Sequence, residues 1–375
     1  MTALLDTVDP DGLLEYSVVF TDRSLNHMSA IYQRVMRDIS EMLREVYKAD
    51  AVAIVPGGGT CGMEAVARQF GTGAHALIIR NGFFSFRWSQ IFDAGRFAAE
   101  TTVLKARPTG NAPRAPFAPV PIDEATATIR QTRPDVVFAP HVETAAGLIL
   151  PDDYITALAA AAHEVGALMV LDSIASGAAW VDMRATGVDV LISAPQKGWS
   201  STPSAGLVML NKRALTRMEE TQSSSFALDL KKWRAIMAAY EAGGHAYHAT
   251  MPTDSLRTFR DTMRETRAHG FERLREAQWA LGNGVRAMLA ERGIHPVAAE
   301  GFGAPGVVVS YTDDPDIQNG SKFAAEGVQI AAGVPLQCDE PADFRTFRIG
   351  LFGLDKLYDV PGTLARLREV LDRVL

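Results

Sequence analysis

Short runs of consecutive apolar residues recur between residues 51 and 211 and constrain the fold more than any other feature of the chain. They lie at 51–55, 75–80, 135–140, 167–172, 188–193 and 206–211. Because most of these runs are continuous rather than alternating, they are typical of strands that are buried on both faces. Helical patterns such as 153–165 separate several of them. The sequence therefore predicts an α/β domain around a largely parallel sheet.

A change to long charged helix, exemplified by residues 263–283, marks the end of this α/β region. Strand candidates at 306–311 and 346–350 follow the helix and predict a smaller second domain. At the other end of the chain, apolar residues recur every three or four positions from His27 to Val46, with Ser29 as a candidate helix cap. We expect three parts: an N-terminal arm at 1–26, a large domain at 27–265 and a small C-terminal domain at 266–375.

Composition narrows the class of protein. The chain has 375 residues with 47% hydrophobic and 22% charged, which is enough for a sizeable core. Its 44 acidic residues outnumber 37 basic ones, and no tract of lysine or arginine occurs, which argues against nucleic acid as a partner. The two cysteines, Cys61 and Cys338, lie far apart and suit a reducing compartment. With neither a leader peptide nor a long apolar span in the sequence, we expect a cytoplasmic protein without membrane contact.

A glycine-rich loop at 57–60 (GGGT) follows the first apolar run and precedes a helical pattern. Such a loop lets backbone N–H groups approach a phosphate at a helix N-terminus, and Thr60 can add its hydroxyl. A tight structural turn explains the same glycines equally well. The loop lacks both the lysine of a P-loop and the complete spacing of a dinucleotide-binding loop.

Lys197 and Asp172 each lie where an apolar run ends, and the carboxyl ends of parallel strands meet at one edge of a sheet. A lysine at that edge can form a Schiff base with a cofactor aldehyde. An aspartate on a neighbouring strand can keep a pyridine nitrogen protonated. Each residue alone has an ordinary explanation, Asp172 as a turn residue and Lys197 as a solvated surface residue. Together they are typical of pyridoxal phosphate enzymes.

Seven motifs carry a family resemblance that extends from about His27 to about Gly353. They are 57–65 (GGGTCGMEA), 81–88 (NGFFSFRW), 141–147 (HVETAAG), 172–176 (DSIAS), 193–197 (SAPQK), 247–252 (YHATMP) and 347–353 (FRIGLFG). In this order they resemble the class V aminotransferases of the serine/alanine–glyoxylate type, which are fold-type-I pyridoxal phosphate enzymes. The resemblance implies a large domain with a mostly parallel seven-stranded sheet between helices, and a smaller α+β C-terminal domain.

The resemblance also implies a role for particular residues in these motifs. Lys197 would form the Schiff base, Asp172 would pair with the pyridine nitrogen, and Arg348 would bind the substrate carboxylate. Tyr247 and Thr250 would reach the cofactor phosphate from the neighbouring subunit, which implies a homodimer. The remaining cofactor contacts implied within the chain are Gly58, Gly59, Thr60, Phe84, Thr144, Ile174 and Gln196.

The implied reaction moves an amino group from a small amino acid resembling serine or alanine to a 2-oxo acid such as glyoxylate or pyruvate. An alternative on the same fold is a cysteine desulfurase or related lyase, with Cys338 as the sulfur acceptor. Gln196 and Phe84 stand where desulfurases usually carry histidine, which favours the aminotransferase. A third interpretation, a non-catalytic nucleotide-binding protein, has only the incomplete glycine loop in its support.

Overall fold

Helices and strands alternate through most of the chain. The computed structural model describes residues 8–10 and 12–375. The helices are α1 (Ala30–Tyr47), α2 (Gly59–Phe70), α3 (Phe83–Gly95), α4 (Ile122–Thr132), α5 (Asp152–Glu164), α6 (Met183–Thr186), α7 (Lys212–Glu220), α8 (Leu230–Glu241), α9 (Thr253–His269), α10 (Phe271–Ala290), α11 (Pro315–Gln318), α12 (Ser321–Ala325), α13 (Leu354–Leu357) and α14 (Val360–Val374). The strands are β1 (Ala51–Pro56), β2 (His75–Arg80), β3 (Glu100–Lys105), β4 (Arg107–Pro108), β5 (Phe117–Ala118), β6 (Val136–Pro140), β7 (Val142–Glu143), β8 (Leu148–Ile149), β9 (Leu168–Asp172), β10 (Val190–Ser193), β11 (Ala205–Leu210), β12 (Val307–Tyr311), β13 (Ala331–Ala332) and β14 (Thr346–Gly350).

Seven strands form the main sheet, in the order β1-β11-β10-β9-β6-β2-β3. Strand β11 runs antiparallel to its neighbours β1 and β10, while the other neighbouring pairs are parallel. Every residue of β6, β9, β10 and β11 is buried. Burial on both faces explains why their sequences are continuous apolar runs rather than alternating ones. The mostly parallel seven-stranded sheet implied by the sequence is confirmed.

The edge strand β3 is absent from the strands predicted above. It pairs with β2 alone in the main sheet. Its first two residues, Glu100 and Thr101, are exposed, and its other four are half-buried. A strand at a sheet edge needs no continuous apolar sequence, since one side of it faces solvent. Its mixed sequence therefore gave too weak a pattern for prediction.

Helix α1 begins as predicted. The Ser29 hydroxyl accepts a hydrogen bond from the backbone N–H of Tyr32 at 3.1 Å, which satisfies one of the free donors of the first turn. Its buried face packs against α8 and α9. Of the N-terminal arm expected at 1–26, residues 1–7 and 11 lie outside the described residues.

The prediction of one long helix across 263–283 is wrong, because two helices meet at Gly270. This glycine has φ 99°, a conformation that favours glycine, and its N–H caps the end of α9. Residue 265, the expected domain boundary, lies inside α9. Although α10 has 20 residues, neither it nor any other helix of the described residues has the apolar length that crossing a membrane requires.

A second, antiparallel sheet has the order β12-β14-β13 and packs with α10 and α11. The strand candidates at 306–311 and 346–350 correspond to β12 and β14. Arg348 lies on the central strand of this sheet, opposite Val309 on one side and Ala331 on the other. The backbone around Arg348 is therefore fixed from both sides.

Helix α2 approaches the main sheet through two glycines. A Cβ at Gly206, on β11, would lie 2.6 Å from the backbone N and Cα atoms of Gly62, on α2. No real contact is this short, so any larger residue must push the helix away from the sheet. This contact fixes the helix that begins at the glycine loop.

We predict that Gly206→Ala lowers the free energy of unfolding by about 1–3 kcal/mol, because neither backbone can yield without a shift of α2. The urea midpoint of the cofactor-free protein measures this. Gly110→Ala is the matched control, since a Cβ at Gly110 meets nothing within 4 Å. Equal midpoints for the two variants would contradict the prediction.

Candidate active site

The ends of two adjacent parallel strands bring Asp172 and Lys197 to the same edge of the main sheet. Asp172 ends β9 and is paired in register with Ile192 of β10. Lys197 follows four residues after β10 ends at Ser193. The charge of each residue acts on the pKa of the other. The expected pairing of these two groups at one site is therefore present in the fold.

Burial dominates the electrostatics of this pair. It raises the pKa of Asp172 to about 6, although the backbone N–H of Ile174 donates to the carboxylate at 3.0 Å and Lys197 lies nearby. Burial also lowers the pKa of Lys197, and the charges of Arg87 and Arg348 add to this effect while Asp172 opposes it. A buried carboxylate in this state is stabilised by a cationic group placed beside it.

The ring of Phe84 lies at the centre of three cations. Its centroid is 4.9 Å from Cζ of Arg87, 5.6 Å from Cζ of Arg348 and 5.8 Å from Nζ of Lys197. Phe352 contributes a second ring, 5.8 Å from Nζ of Lys197. Arg348, on the small sheet, and Lys197, at the edge of the main sheet, therefore lie beside the same aromatic ring.

Arg87 and Phe352 are site residues that the sequence reasoning missed. Both lie within motifs quoted above, at 81–88 and 347–353, so a signal for them was present. Arg87 donates to the Thr60 hydroxyl at 3.2 Å and joins α3 to the start of α2. In the described part of the chain, no carboxylate forms an ion pair with Arg87.

The glycine loop leads into α2 without a side-chain cap. Gly58 is the N-cap residue, and within the described residues no side chain caps the backbone N–H groups of the first turn. A Cβ at Gly58 would meet nothing within 4 Å, whereas one at Gly59 would lie 2.6 Å from Ile174. The helix N-terminus is therefore open on one side, while Ile174 closes the other. Open N–H groups at a helix start are suited to an anion such as phosphate.

Three other predicted contacts differ in exposure. Thr144 is buried at 6% exposure, Gln196 is exposed, and Arg348 is half-buried. Nε of Arg348 donates to the carbonyl oxygen of Ala332 at 2.8 Å. This bond orients the guanidinium and leaves its two terminal nitrogens for a carboxylate.

Tyr247 and Thr250 lie together on the surface. Their hydroxyl oxygens are 3.1 Å apart, and Tyr247 is 52% exposed. In the described residues, neither makes a hydrogen bond or ring contact with Lys197, Asp172 or Thr60. The ring of Tyr247 instead contacts His27, with centroids 5.4 Å apart.

Cys338 is unsuited to accept sulfur in this structure. The residue is 3% exposed, its thiol donates to the carbonyl oxygen of Arg80 at 3.4 Å, and burial raises its pKa to about 12. Sulfur transfer needs an accessible thiolate. The desulfurase alternative therefore loses the residue on which it depended.

The residues at this edge of the sheet fit pyridoxal phosphate. An uncapped helix N-terminus suits its phosphate, a buried carboxylate suits its pyridine nitrogen, and a desolvated lysine suits its aldehyde. Phe84 offers an aromatic face beside the lysine. The four features lie on different elements but meet at one site.

Comparisons with known proteins agree with this fit. The family model "Aminotransferase class-V" matches residues 13–294. Alanine–glyoxylate aminotransferase of Callithrix jacchus is 26% identical over 254 residues, which is 66% of this chain and 58% of that protein. The 2-aminoethylphosphonate–pyruvate transaminase 2 of Paraburkholderia xenovorans (strain LB400) is 27% identical over 364 residues, 94% of this chain and 92% of the relative.

A solved structure supports the fold. The crystal structure of alanine–glyoxylate aminotransferase from Nostoc sp. superimposes with a TM-score of 0.78 at 21% identity, covering 93% of this chain and 89% of that one. This match, with the family model over most of the chain, leaves the nucleotide-binding interpretation without support. The chain belongs to the class V aminotransferases, fold-type-I enzymes whose cofactor is pyridoxal phosphate.

Proposed function

We propose that this aminotransferase moves an amino group from a small amino acid, resembling alanine or serine, to a 2-oxo acid such as glyoxylate or pyruvate. The observation that carries the proposal is the position of Lys197 beside Asp172, with Arg348 across the Phe84 ring. The relatives named for alanine, glyoxylate and pyruvate support these substrates.

In this proposal Lys197 and Asp172 handle protons. When bound, pyridoxal phosphate supplies an electron sink for the substrate α-carbon. Nζ of Lys197 removes the proton from the α-carbon, and its lowered pKa leaves more of the amine free to accept it. Asp172 holds a proton at the pyridine nitrogen, where its buried carboxylate has few other partners.

Arg348 binds the substrate carboxylate through its two terminal nitrogens, since its Nε is occupied by Ala332. The rings of Phe84 and Phe352 each lie 5.8 Å from Nζ of Lys197. Both rings keep water away from this nitrogen. A small donor side chain suits a site with two such rings.

We assign the remaining cofactor contacts as the family resemblance implies. Gly58, Gly59 and Thr60 bind the phosphate at the start of α2, with Gln196 beside them. Phe84 would stack on one face of the cofactor ring, and Ile174 would pack on the other. Thr144 would contact the ring oxygen.

A homodimer completes the site in our proposal. Tyr247 and Thr250 face solvent with both hydroxyls together, as expected of groups that reach the phosphate of a partner. The nearby N-terminal arm exposes apolar side chains, with Leu13 at 90% and Val18 at 102% exposure. Exposed apolar side chains in such a cluster suggest a covering subunit.

We retain the three parts expected from the sequence as the domain organisation, with an arm, a large domain and a small domain.

We also place the enzyme in the cytoplasm, because Cys61 and Cys338 are both free thiols.

The purified protein should convert alanine or serine to the corresponding 2-oxo acid when glyoxylate or pyruvate is the acceptor. Lys197→Ala should lower this rate by about 10²–10⁴-fold and remove the visible absorption band of the bound cofactor, because the covalent link and the proton carrier are both lost. Chromatographic identification of the products over a panel of donors measures the rate. Lys232→Ala, at an exposed position on α8, is the control. A wild-type rate in Lys197→Ala would show that another residue carries the chemistry.

The cofactor-free protein should lose stability as the pH rises through the window set by Asp172. Its pKa is about 6 in the folded chain against 3.8 for the free side chain. Between these values only the unfolded chain releases the proton, so ionisation favours unfolding and the full loss is present above about pH 6. Asp172→Asn should therefore be more stable than wild type by about 1–3 kcal/mol at neutral pH. Below the free side-chain value of 3.8, the two proteins should be equally stable.

Urea midpoints of both proteins across this pH range provide the measurement. The reasoning is wrong if the difference between variant and wild type stays constant with pH. In the loaded enzyme the same substitution should lower kcat, because an amide cannot hold the pyridinium proton.

Subunit mixing tests the shared site. Lys197→Ala chains lack the lysine, and chains with Tyr247→Phe and Thr250→Ala lack the hydroxyls, so each homodimer should retain cofactor poorly. In a hybrid dimer, one site combines an intact lysine with intact hydroxyls from its neighbour. That site should regain tight binding, measured as cofactor retained after gel filtration. No recovery in demonstrably mixed dimers, or a monomer in solution, would mean that each site is complete within one chain.

A further inference from the structure

A buried carboxylate directly behind the site has no role in the mechanism above. Glu143 ends β7, and its side chain has no exposed surface. One carboxylate oxygen accepts from the backbone N–H groups of Phe84 at 3.2 Å and Ala145 at 3.0 Å. The other accepts from Ser85, from its N–H at 2.8 Å and its hydroxyl at 2.7 Å.

These four bonds describe an ionised carboxylate. An ionised carboxylate only accepts hydrogen bonds, and all four of its neighbours are N–H or O–H donors. In the described residues, no arginine, lysine or histidine forms an ion pair with Glu143. The charge is therefore stabilised by backbone and hydroxyl donors and is not cancelled by a neighbouring cation.

Glu143 caps the first turn of α3 together with the Ser85 hydroxyl, which accepts from the N–H groups of Asn81 at 2.9 Å and Gly82 at 3.1 Å. The N-cap residue is Gly82, which has no side chain with which to cap the helix, and a Cβ there would lie 2.7 Å from Cγ of Glu143. Phe84 and Ser85 belong to the first turn of α3. The carboxylate thus fixes the backbone from which the Phe84 ring projects toward Lys197.

The charge of Glu143 also reaches the groups that react. The charged groups around Lys197 are Asp172, Arg87, Glu143 and Arg348, and the two carboxylates oppose the lowering of the lysine pKa that burial causes. Glu143 acts in the same direction on Arg348, whose pKa is lowered by burial.

We propose that Glu143 is a positioning residue of the active site, which holds the Phe84 ring against the cofactor and supplies a fixed negative charge behind the reacting lysine. The proposal rests on the proposed function, because it takes the roles of Phe84 and Lys197 from there. It assigns to the 141–147 motif a role beyond the Thr144 contact.

Glu143→Gln tests both parts, since glutamine has the same size without the charge. Loss of a negative charge disfavours the protonated form of the lysine nitrogen. The pH midpoint of the visible band of the loaded protein should therefore move about 1 pH unit lower. The dissociation constant of pyridoxal phosphate, from absorbance titration, should rise about two- to tenfold, as expected when an aromatic stack is misplaced.

A third measurement uses the cofactor-free chain. Acetic anhydride modifies the unprotonated amine of Lys197, and mass spectrometry follows the rate of this modification as the pH is varied. The pH at which the rate is half-maximal should be lower in Glu143→Gln than in wild type, as for the visible band. If the wild-type protein binds no pyridoxal phosphate, the proposed function fails, while this measurement still decides whether the charge of Glu143 acts on Lys197.

Asp189→Asn is the matched control for stability. Asp189 is also a fully buried carboxylate, and it accepts from the N–H of Met169 and the side chain of Asn211, each at 2.8 Å. Unlike Glu143, it also has a histidine beside it, with Nε2 of His163 at 2.8 Å. It precedes β10, at the end of the strand opposite to the site. Its substitution should lower the urea midpoint while leaving the pH midpoint and the cofactor affinity at wild-type values.

Ser85→Ala separates position from charge and serves also if Glu143→Gln fails to fold. It removes one of the four donors to the carboxylate, together with the hydroxyl that accepts from the N–H groups of Asn81 and Gly82, but keeps the carboxylate and its charge. Cofactor affinity should fall about twofold, with an unchanged pH midpoint. The proposal is overturned if Glu143→Gln behaves like Asp189→Asn, or, where it does not fold, if Ser85→Ala has wild-type affinity.

Discussion

The parallel pairing of β9 with β10 is the constraint on which the site depends. Because the two strands run in the same direction and in register, their carboxyl ends lie side by side, and Asp172 and Lys197 emerge at one edge of the sheet. The outermost strand β1, separated from β10 by β11, runs in the same direction and leads at the same edge into the open N-terminus of α2. Three separate parts of the sequence therefore supply a carboxylate, a lysine and an anion site at one edge of the sheet.

Burial then converts these ordinary groups into reactive ones. The same desolvation raises the pKa of Asp172 and lowers that of Lys197, so both move toward neutrality. A folded chain that holds a carboxylate and an amine in this condition is less stable than one with solvated groups. Binding of a cationic pyridine nitrogen and an aldehyde relieves both penalties, which links cofactor affinity to the strain of the free site.

Much of this could be predicted from local sequence, since the strand ends, the glycine loop and the Ser29 cap depend on neighbours along the chain. The rest depends on contacts between distant residues. The edge strand β3 lacks a continuous apolar pattern, and the helical pattern of α9 and α10 continues through Gly270 although the backbone turns there. The bonds of Glu143 join residues 58 and 59 positions apart, which no local pattern reports.

The site depends on the C-terminal part of the chain through the small sheet. Arg348 is held between β12 and β13, and Phe352 lies two residues beyond the end of β14. Arg348 therefore contacts the Phe84 ring, and Phe352 contacts Lys197, from outside the main sheet. The groups proposed to hold the cofactor lie mainly on the main sheet and its helices, whereas the groups proposed to select the donor lie on the small sheet. A change in the packing of β14 would therefore alter the choice of substrate before it altered the chemistry at Lys197.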